Sequence, residues 1–229
     1  GVCSLPLGGG AASAIVAPAG VGVVSGFTLG ASDVVWVDDL GDVESAPTTG
    51  GAPAPVAPIA ATPALALVDA ANAYWFEAAG DPRASSPVTA YAAPLPSGAP
   101  IALASGLPSI ERAALGAGAI FGVADGASII SVPTTPGAAP VLYTTPTPAT
   151  TTLVAVAADA SSVYWIEVDD SAFTVKRATA AGADVTTLAT RPTGGAGASI
   201  GGLTLDATSL AWTEVDASSR GHVVRLTPR

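Results

Sequence analysis

Four residue types are almost missing from this chain. Among 229 residues there is one cysteine (Cys3), one histidine (His222), one lysine (Lys176) and no methionine. A single thiol makes no internal disulfide, which excludes a disulfide-built scaffold. One Cys and one His cannot form a Cys/His metal set or a catalytic Cys–His pair. His222 is therefore expected to be a solvated or capping residue. Charge is scarce too: 11% of residues are charged, against about 25% in an ordinary globular protein. With eight basic residues and a net charge of −10, no basic stripe exists to neutralise phosphates. Nucleic acids and anionic membrane surfaces are disfavoured as partners. The mean hydropathy of +0.53 is high. Yet Pro, Gly and Ser interrupt every apolar run before it reaches the roughly 18 residues of a membrane span, so no membrane insertion is expected.

Catalytic and cofactor signatures are missing as well. The sequence has no G-x-S-x-G elbow, P-loop, H-E-x-x-H or dinucleotide fingerprint. Its glycine runs at 8–10 and 194–195 precede no helix that could present N–H groups to a phosphate. We expect no cofactor, no metal and no enzymatic activity. The first residue is glycine, so a removed leader or a longer reading frame is expected. A surface poor in lysine and rich in Thr, Ser, Ala and Gly suits a secreted or cell-surface protein.

What is present is a repeat. Five segments align: Asp33-Val34-Val35-Trp36-Val37-Asp38, Asn72-Ala73-Tyr74-Trp75-Phe76-Glu77, Ala119-Ile120-Phe121-Gly122-Val123-Ala124, Ser162-Val163-Tyr164-Trp165-Ile166-Glu167 and Ser209-Leu210-Ala211-Trp212-Thr213-Glu214. Positions 36, 75, 122, 165 and 212 are equivalent, at spacings of 39, 47, 43 and 47 residues. A period of about 40–50 residues in a strand-rich sequence marks a β-propeller. Short runs rich in Val, Ile, Thr and aromatics alternate with Gly, Pro, Asp and Ser turns, and no long 3.6-residue period is found. The reading is all-β: one propeller domain over 1–229, with five blades of four antiparallel strands. The blades fall at about 22–60, 63–105, 110–145, 151–190 and 200–229. Residues 1–19 are expected to complete the last blade, so that the two termini close the ring. Both 2–5 and 223–226 read as third strands. One of them is surplus: a frayed end, an edge added to another molecule, or the mark of a larger ring.

At Tyr74-Trp75-Phe76-Glu77, Tyr164-Trp165-Ile166-Glu167 and Ala211-Trp212-Thr213-Glu214 the sequence resembles the YWTD repeat of low-density-lipoprotein-receptor-type propellers. Similar repeats are common in exported bacterial propellers. The resemblance implies a binding scaffold rather than an enzyme, and it carries over no catalytic residue. It departs from that family in having five blades where six are usual, and in Gly122 and Ala124 standing where Trp and acid belong.

The repeated residues Trp36, Asp38, Trp75, Glu77, Trp165, Glu167, Trp212 and Glu214 have two readings. Trp and acid lie two positions apart on a strand and so share a face. In the architectural reading the indole packs between blades and the acid accepts hydrogen bonds from a neighbouring blade. In the functional reading each pair is a sugar site, which requires exposed rings. Asp69, Asp159 and Asp206 each lie six residues before a Trp, where Gly30 and Gly116 stand in the other copies, and read as turn caps. Asp38, Asp39, Asp42 and Glu44, with Asp169 and Asp170 at the matching turn of the fourth blade, read as solvated turn acids; they lack a calcium loop's alternating pattern. Cys3 is either an intermolecular cross-link or a buried small hydrophobe. The expected function is a non-enzymatic, exported binding or assembly module that contacts protein partners or its own copies. The alternative is a carbohydrate-binding propeller with a glycan partner, and a propeller lyase or hydrolase ranks lower.

Overall fold

The computed structural model describes residues 2–4, 11, 13–16, 24–38, 42–57, 59, 62–78, 86–144, 151–192, 199–216 and 218–227. Asp39 and the glycine runs at 8–10 and 194–195 lie outside them. The protein is an all-β propeller of five blades, with no helix among the described residues. It divides into two compact units, Gly1–Ser109 and Ile110–Arg229.

In the first unit β1 (Val2–Ser4) pairs antiparallel with β2 (Ser13–Val16). Blade one is β3 (Val24–Leu29), β4 (Asp33–Asp38), β5 (Val43–Pro47) and β6 (Ala54–Pro55). Blade two is β7 (Thr62–Val68), β8 (Asn72–Ala78), β9 (Val88–Pro94) and β10 (Ile101–Leu107). In the second unit blade three is β11 (Ile110–Gly116), β12 (Ala119–Ala124), β13 (Ser128–Pro133) and β14 (Val141–Thr144). Blade four is β15 (Thr152–Ala158), β16 (Ser162–Val168), β17 (Ala172–Thr179) and β18 (Thr186–Pro192). Blade five contributes β19 (Ser199–Leu205), β20 (Leu210–Val215) and β21 (Gly221–Leu226). Strands pair in sequence order within each blade. The first blade was expected to run to about residue 60, but its fourth strand, β6, ends at Pro55. Proline has no N–H to give a ladder and is poorly placed inside a paired strand.

Second strands carry the core. β4, β8, β12 and β16 are buried almost continuously rather than on alternate residues. A strand covered on both faces needs apolar side chains in both directions, and runs such as Val34-Val35-Trp36-Val37 supply them. Each indole turns toward the sheet that precedes it in sequence. Trp75 lies with Val35, Val37 and Val43 of blade one. Trp165 lies with Phe121, Val123 and Ile129 of blade three. Trp212 lies with Tyr164, Ile166 and Val175 of blade four. Trp36 lies with Ile15 of β2. In blade three Gly122 stands in the Trp position, and its empty face is filled from the same sheet. A Cβ there would sit 3.1 and 3.2 Å from the Ile110 Cγ2 and Cδ1 atoms.

Glycine at the turn after the first strand has a second role. A Cβ on Gly116 would come within 2.5 Å of the Asp159 carbonyl oxygen and 2.8 Å of the Ala158 Cβ, both in blade four. Gly30 meets Val68 of blade two in the same way, less tightly, at 3.4 Å. Close approach of adjacent first strands therefore excludes a side chain at position 116. Gly116→Ala is expected to destabilise by about 1–3 kcal/mol through overpacking. Urea unfolding checks this: an unchanged midpoint contradicts the close approach.

Candidate functional site

The Trp-plus-acid pairs form internal bonds. The indole N–H donates to the carboxylate two residues along the same strand in three copies: Trp75 to Glu77 at 2.8 Å, Trp165 to Glu167 at 2.7 Å and Trp212 to Glu214 at 2.8 Å. The acceptor thus comes from the tryptophan's own strand, where an acid serving a neighbouring blade was expected. Glu214 additionally meets the neighbouring blade, with Arg191 Nε 3.6 Å away. Blade one solves the problem differently. Asp38 is one methylene shorter, and Trp36 donates instead to Glu44 at 3.1 Å, its partner across the β4–β5 ladder. Glu44 and Asp38 are therefore not solvated turn acids: Asp38 is buried and accepts from the Asp42 N–H at 3.1 Å. Burial and the neighbouring Asp38 charge raise the Glu44 pKa above its ordinary 4.5, against the lowering effect of the indole bond.

All four indoles are buried, with Trp212 the most exposed at 3%. The Trp-based sugar site fails on this point, because no ring face is open for stacking. Further aromatics thicken the same layers. Tyr91 stacks on Trp75 with centroids 5.8 Å apart, and Tyr143 meets Phe121 and Trp165 edge-on at 5.2 and 6.3 Å. The Tyr143 hydroxyl donates to the Thr179 carbonyl, and burial pushes its pKa up to about 12.

The Asp turns are backbone caps. Oδ1 of Asp69 accepts from the N–H groups of Ala71 and Asn72, that of Asp159 from Ser161 and Ser162, and that of Asp206 from Thr208 and Ser209, at 2.7–2.9 Å. Asp169 caps Ser171 and Ala172 in the same manner between β16 and β17. At Asp69 burial raises the pKa, but the Tyr74 hydroxyl and two backbone amides outweigh it and hold the carboxyl below 3.8. The Ser209 hydroxyl and the Thr208 and Ser209 amides hold Asp206 far below the usual range.

Blade five carries two surface hollows. Beside blade four a cleft of about 220 Å³ is lined by Phe173, Arg191, Pro192, Glu214, Val215, Asp216 and His222. His222 Nε2 lies 3.1 Å from Asp216 Oδ2. The Ser218 hydroxyl, the Arg220 N–H and His222 together depress the Asp216 pKa strongly. The ring thus meets a carboxylate that a turn already holds in place. This lining offers no Ser, Cys or Thr nucleophile. No group of three metal-ligating residues is found among the described residues. A second hollow, of about 200 Å³, is lined by Gly202, Leu203, Thr204, Ala211, Trp212, Thr213 and Val223. Val223 is 77% exposed there. The sequence marked 223–226 only as a strand, because exposure of a Val in a strand depends on which face is covered. Cys3 is exposed rather than a buried hydrophobe.

No protein-family model and no curated protein sequence matches this protein. Solved structures do. A nidogen solved as a nidogen/laminin complex is similar over 82% of this sequence and 71% of its own, at 18% identity and a TM-score of 0.58. YCF48 from Cyanidioschyzon merolae is similar over 93% of this sequence and 71% of its own, at 11% identity and a TM-score of 0.60. A puromycin-hydrolysing peptidase of Mycobacterium tuberculosis matches over 82% of this sequence but 34% of its own, at 14% identity and a TM-score of 0.56. At these identities the likeness establishes a β-propeller fold.

Two outcomes test this geometry. Glu167→Ala leaves a buried indole N–H without its acceptor and is expected to cost about 1–3 kcal/mol. It also removes the 2.7 Å partner of Lys176. Adding Trp165→Phe removes the donor, so the double variant should lose less than the sum of the single losses in chemical denaturation. The second outcome concerns acid. Asp69, Asp169, Asp206 and Asp216 have folded pKa values below 3.8. Their stabilisation is complete above that unfolded value and is lost as the pH falls through the lower folded values. Glu44, shifted upward, works in the opposite sense: what it adds at low pH disappears as the pH rises through 4.5 and its folded value. Stability should therefore fall below about pH 4, and less steeply in Asp206→Asn, as followed by thermal melts.

Proposed function

We propose that this protein is an exported, non-enzymatic binding or assembly module that acts through protein–protein contacts on a YWTD-like propeller. In this reading the Trp–acid pairs are architectural. The whole sequence is one propeller domain. The observation that carries the proposal is the open side of blade five. Among the described residues its sheet ends at β21. The exposed Val223 stands beside the hollow backed by Trp212 and Leu203. An edge strand offers backbone N–H and C=O groups to an incoming strand, and an adjoining apolar hollow takes alternate side chains. Little desolvation opposes contact on that side, because the lining of the hollow carries no charge.

The partner favoured by these features is a second copy of the protein, whose surface has the same sparse charge. The exposed Cys3 can add a covalent link between copies in an oxidising compartment. The nidogen structure, solved with laminin, supports the reading with a propeller that has a protein partner. Light scattering during size exclusion is expected to show mass rising with concentration, and Val223→Asp should reduce that rise. A strict monomer at every concentration removes the self-association reading.

A further inference from the structure

Comparison of the blades with one another isolates an arginine that nothing in the fold uses. In blade two the second Asp69 oxygen is taken by the Tyr74 hydroxyl at 2.6 Å, and the residue paired with Tyr74 across the ladder is Ala92. In blade five the second Asp206 oxygen is taken by Arg225 Nη2 at 3.1 Å, and Arg225 Nε donates to Ser209 Oγ at 2.8 Å. The residue paired with Arg225 there is Ala211. One tyrosine or one arginine thus completes each turn.

Blade four carries both. Tyr164 pairs with Arg177 across the ladder. The Tyr164 hydroxyl stands 3.5 Å from Asp159 Oδ2, and Oδ1 is filled by Ser161 N–H, Ser161 Oγ and Ser162 N–H at 2.7, 3.0 and 2.9 Å. Among the described residues the Arg177 guanidinium has no ion pair or hydrogen bond. Nor has Ser162 Oγ, which corresponds to the Ser209 hydroxyl that Arg225 uses. Both residues line a cleft of about 400 Å³ between blades four and five, with Ser161, Tyr164, Asp159 and Thr208.

We propose that this cleft is a carboxylate-recognition site, in which Arg177 and Ser162 Oγ donate to a carboxylate from an acidic side chain or from the free C-terminus of a peptide. The cleft has donors in excess, since its one carboxylate, Asp159, is already occupied by the turn. A guanidinium fork matches the two oxygens of a carboxylate. A phosphate dianion suits the place less well, because Arg177 is the only cation in the lining and the Asp159 carboxylate stands in the same lining. The site is separate from the β21 edge, so loss of self-association in Val223→Asp leaves it intact.

The test is an NMR titration of the full-length protein, following the guanidinium N–H signals of Arg177. The probes are Ac-Gly-Glu-Gly-amide, Ac-Gly-Gly-Gly with a free C-terminus, Ac-Gly-Gln-Gly-amide and inorganic phosphate. A saturable shift with either carboxylate probe is expected, and which one is tighter identifies the source. The glutamine amide should give no shift, and phosphate should bind more weakly. Backbone signals of Ser161 and Ser162 should follow the same curve, and in Arg177→Gln that curve should weaken about tenfold or more. Tyr164→Ala, which copies blade five, should let Arg177 close onto Asp159 and should also weaken it. If that variant does not fold, the Arg177→Gln comparison decides. No shift, an equal response to the glutamine amide, or a curve unchanged in Arg177→Gln overturns the proposal.

Discussion

A tryptophan between two sheets creates an obligation that shapes this molecule. The ring is a large apolar body suited to filling the space between blades, but its N–H goes into the dry layer with it. A buried donor left without an acceptor costs about 1–3 kcal/mol, a large share of a domain's net stability. Every copy that keeps the indole also keeps an acceptor. Glutamate two residues on serves Trp75, Trp165 and Trp212, and Glu44 serves Trp36 across the ladder. The copy that drops the indole drops the acid with it, as Gly122 and Ala124 show. Buried acid and buried ring are one unit.

The same constraint governs the few charges. Lys176 is bound to Glu167, His222 to Asp216 and Arg225 to Asp206, while the turn aspartates are occupied by backbone amides. Charge in this protein mostly holds turns and closes interblade layers. That use explains how a protein with so few basic residues and a net charge of −10 remains well bonded inside. It also makes any cation outside the scheme conspicuous.

Much of the fold could be read from the residues because the repeat is long and its punctuation is consistent. The repeat segments at 33–38, 72–77, 119–124 and 162–167 each begin at the first residue of a second strand. The turns before the second strands are capped by the aspartates that the Trp spacing singled out. Other features depend on register, which sequence does not display. Glu44 looked like a member of an acidic surface cluster, because only the pairing of β4 with β5 puts it opposite Trp36. The sugar reading rested on rings whose burial follows from the arrangement of neighbouring sheets. The cleft near Arg177 needed three blades laid side by side, since an arginine opposite a tyrosine has no meaning until the aspartate it would have met is located.

Gly116 limits how alike the blades can become. Three of the other four blades carry aspartate at the equivalent position and the fourth carries Gly30, yet a Cβ at 116 would stand 2.5 Å from the Asp159 carbonyl oxygen of the following sheet. Writing the common aspartate into blade three would force that neighbouring turn to move. What one blade tolerates at a turn is thus set partly by the backbone of the next, so a consensus taken over the five copies is a poor guide to redesigning any one of them.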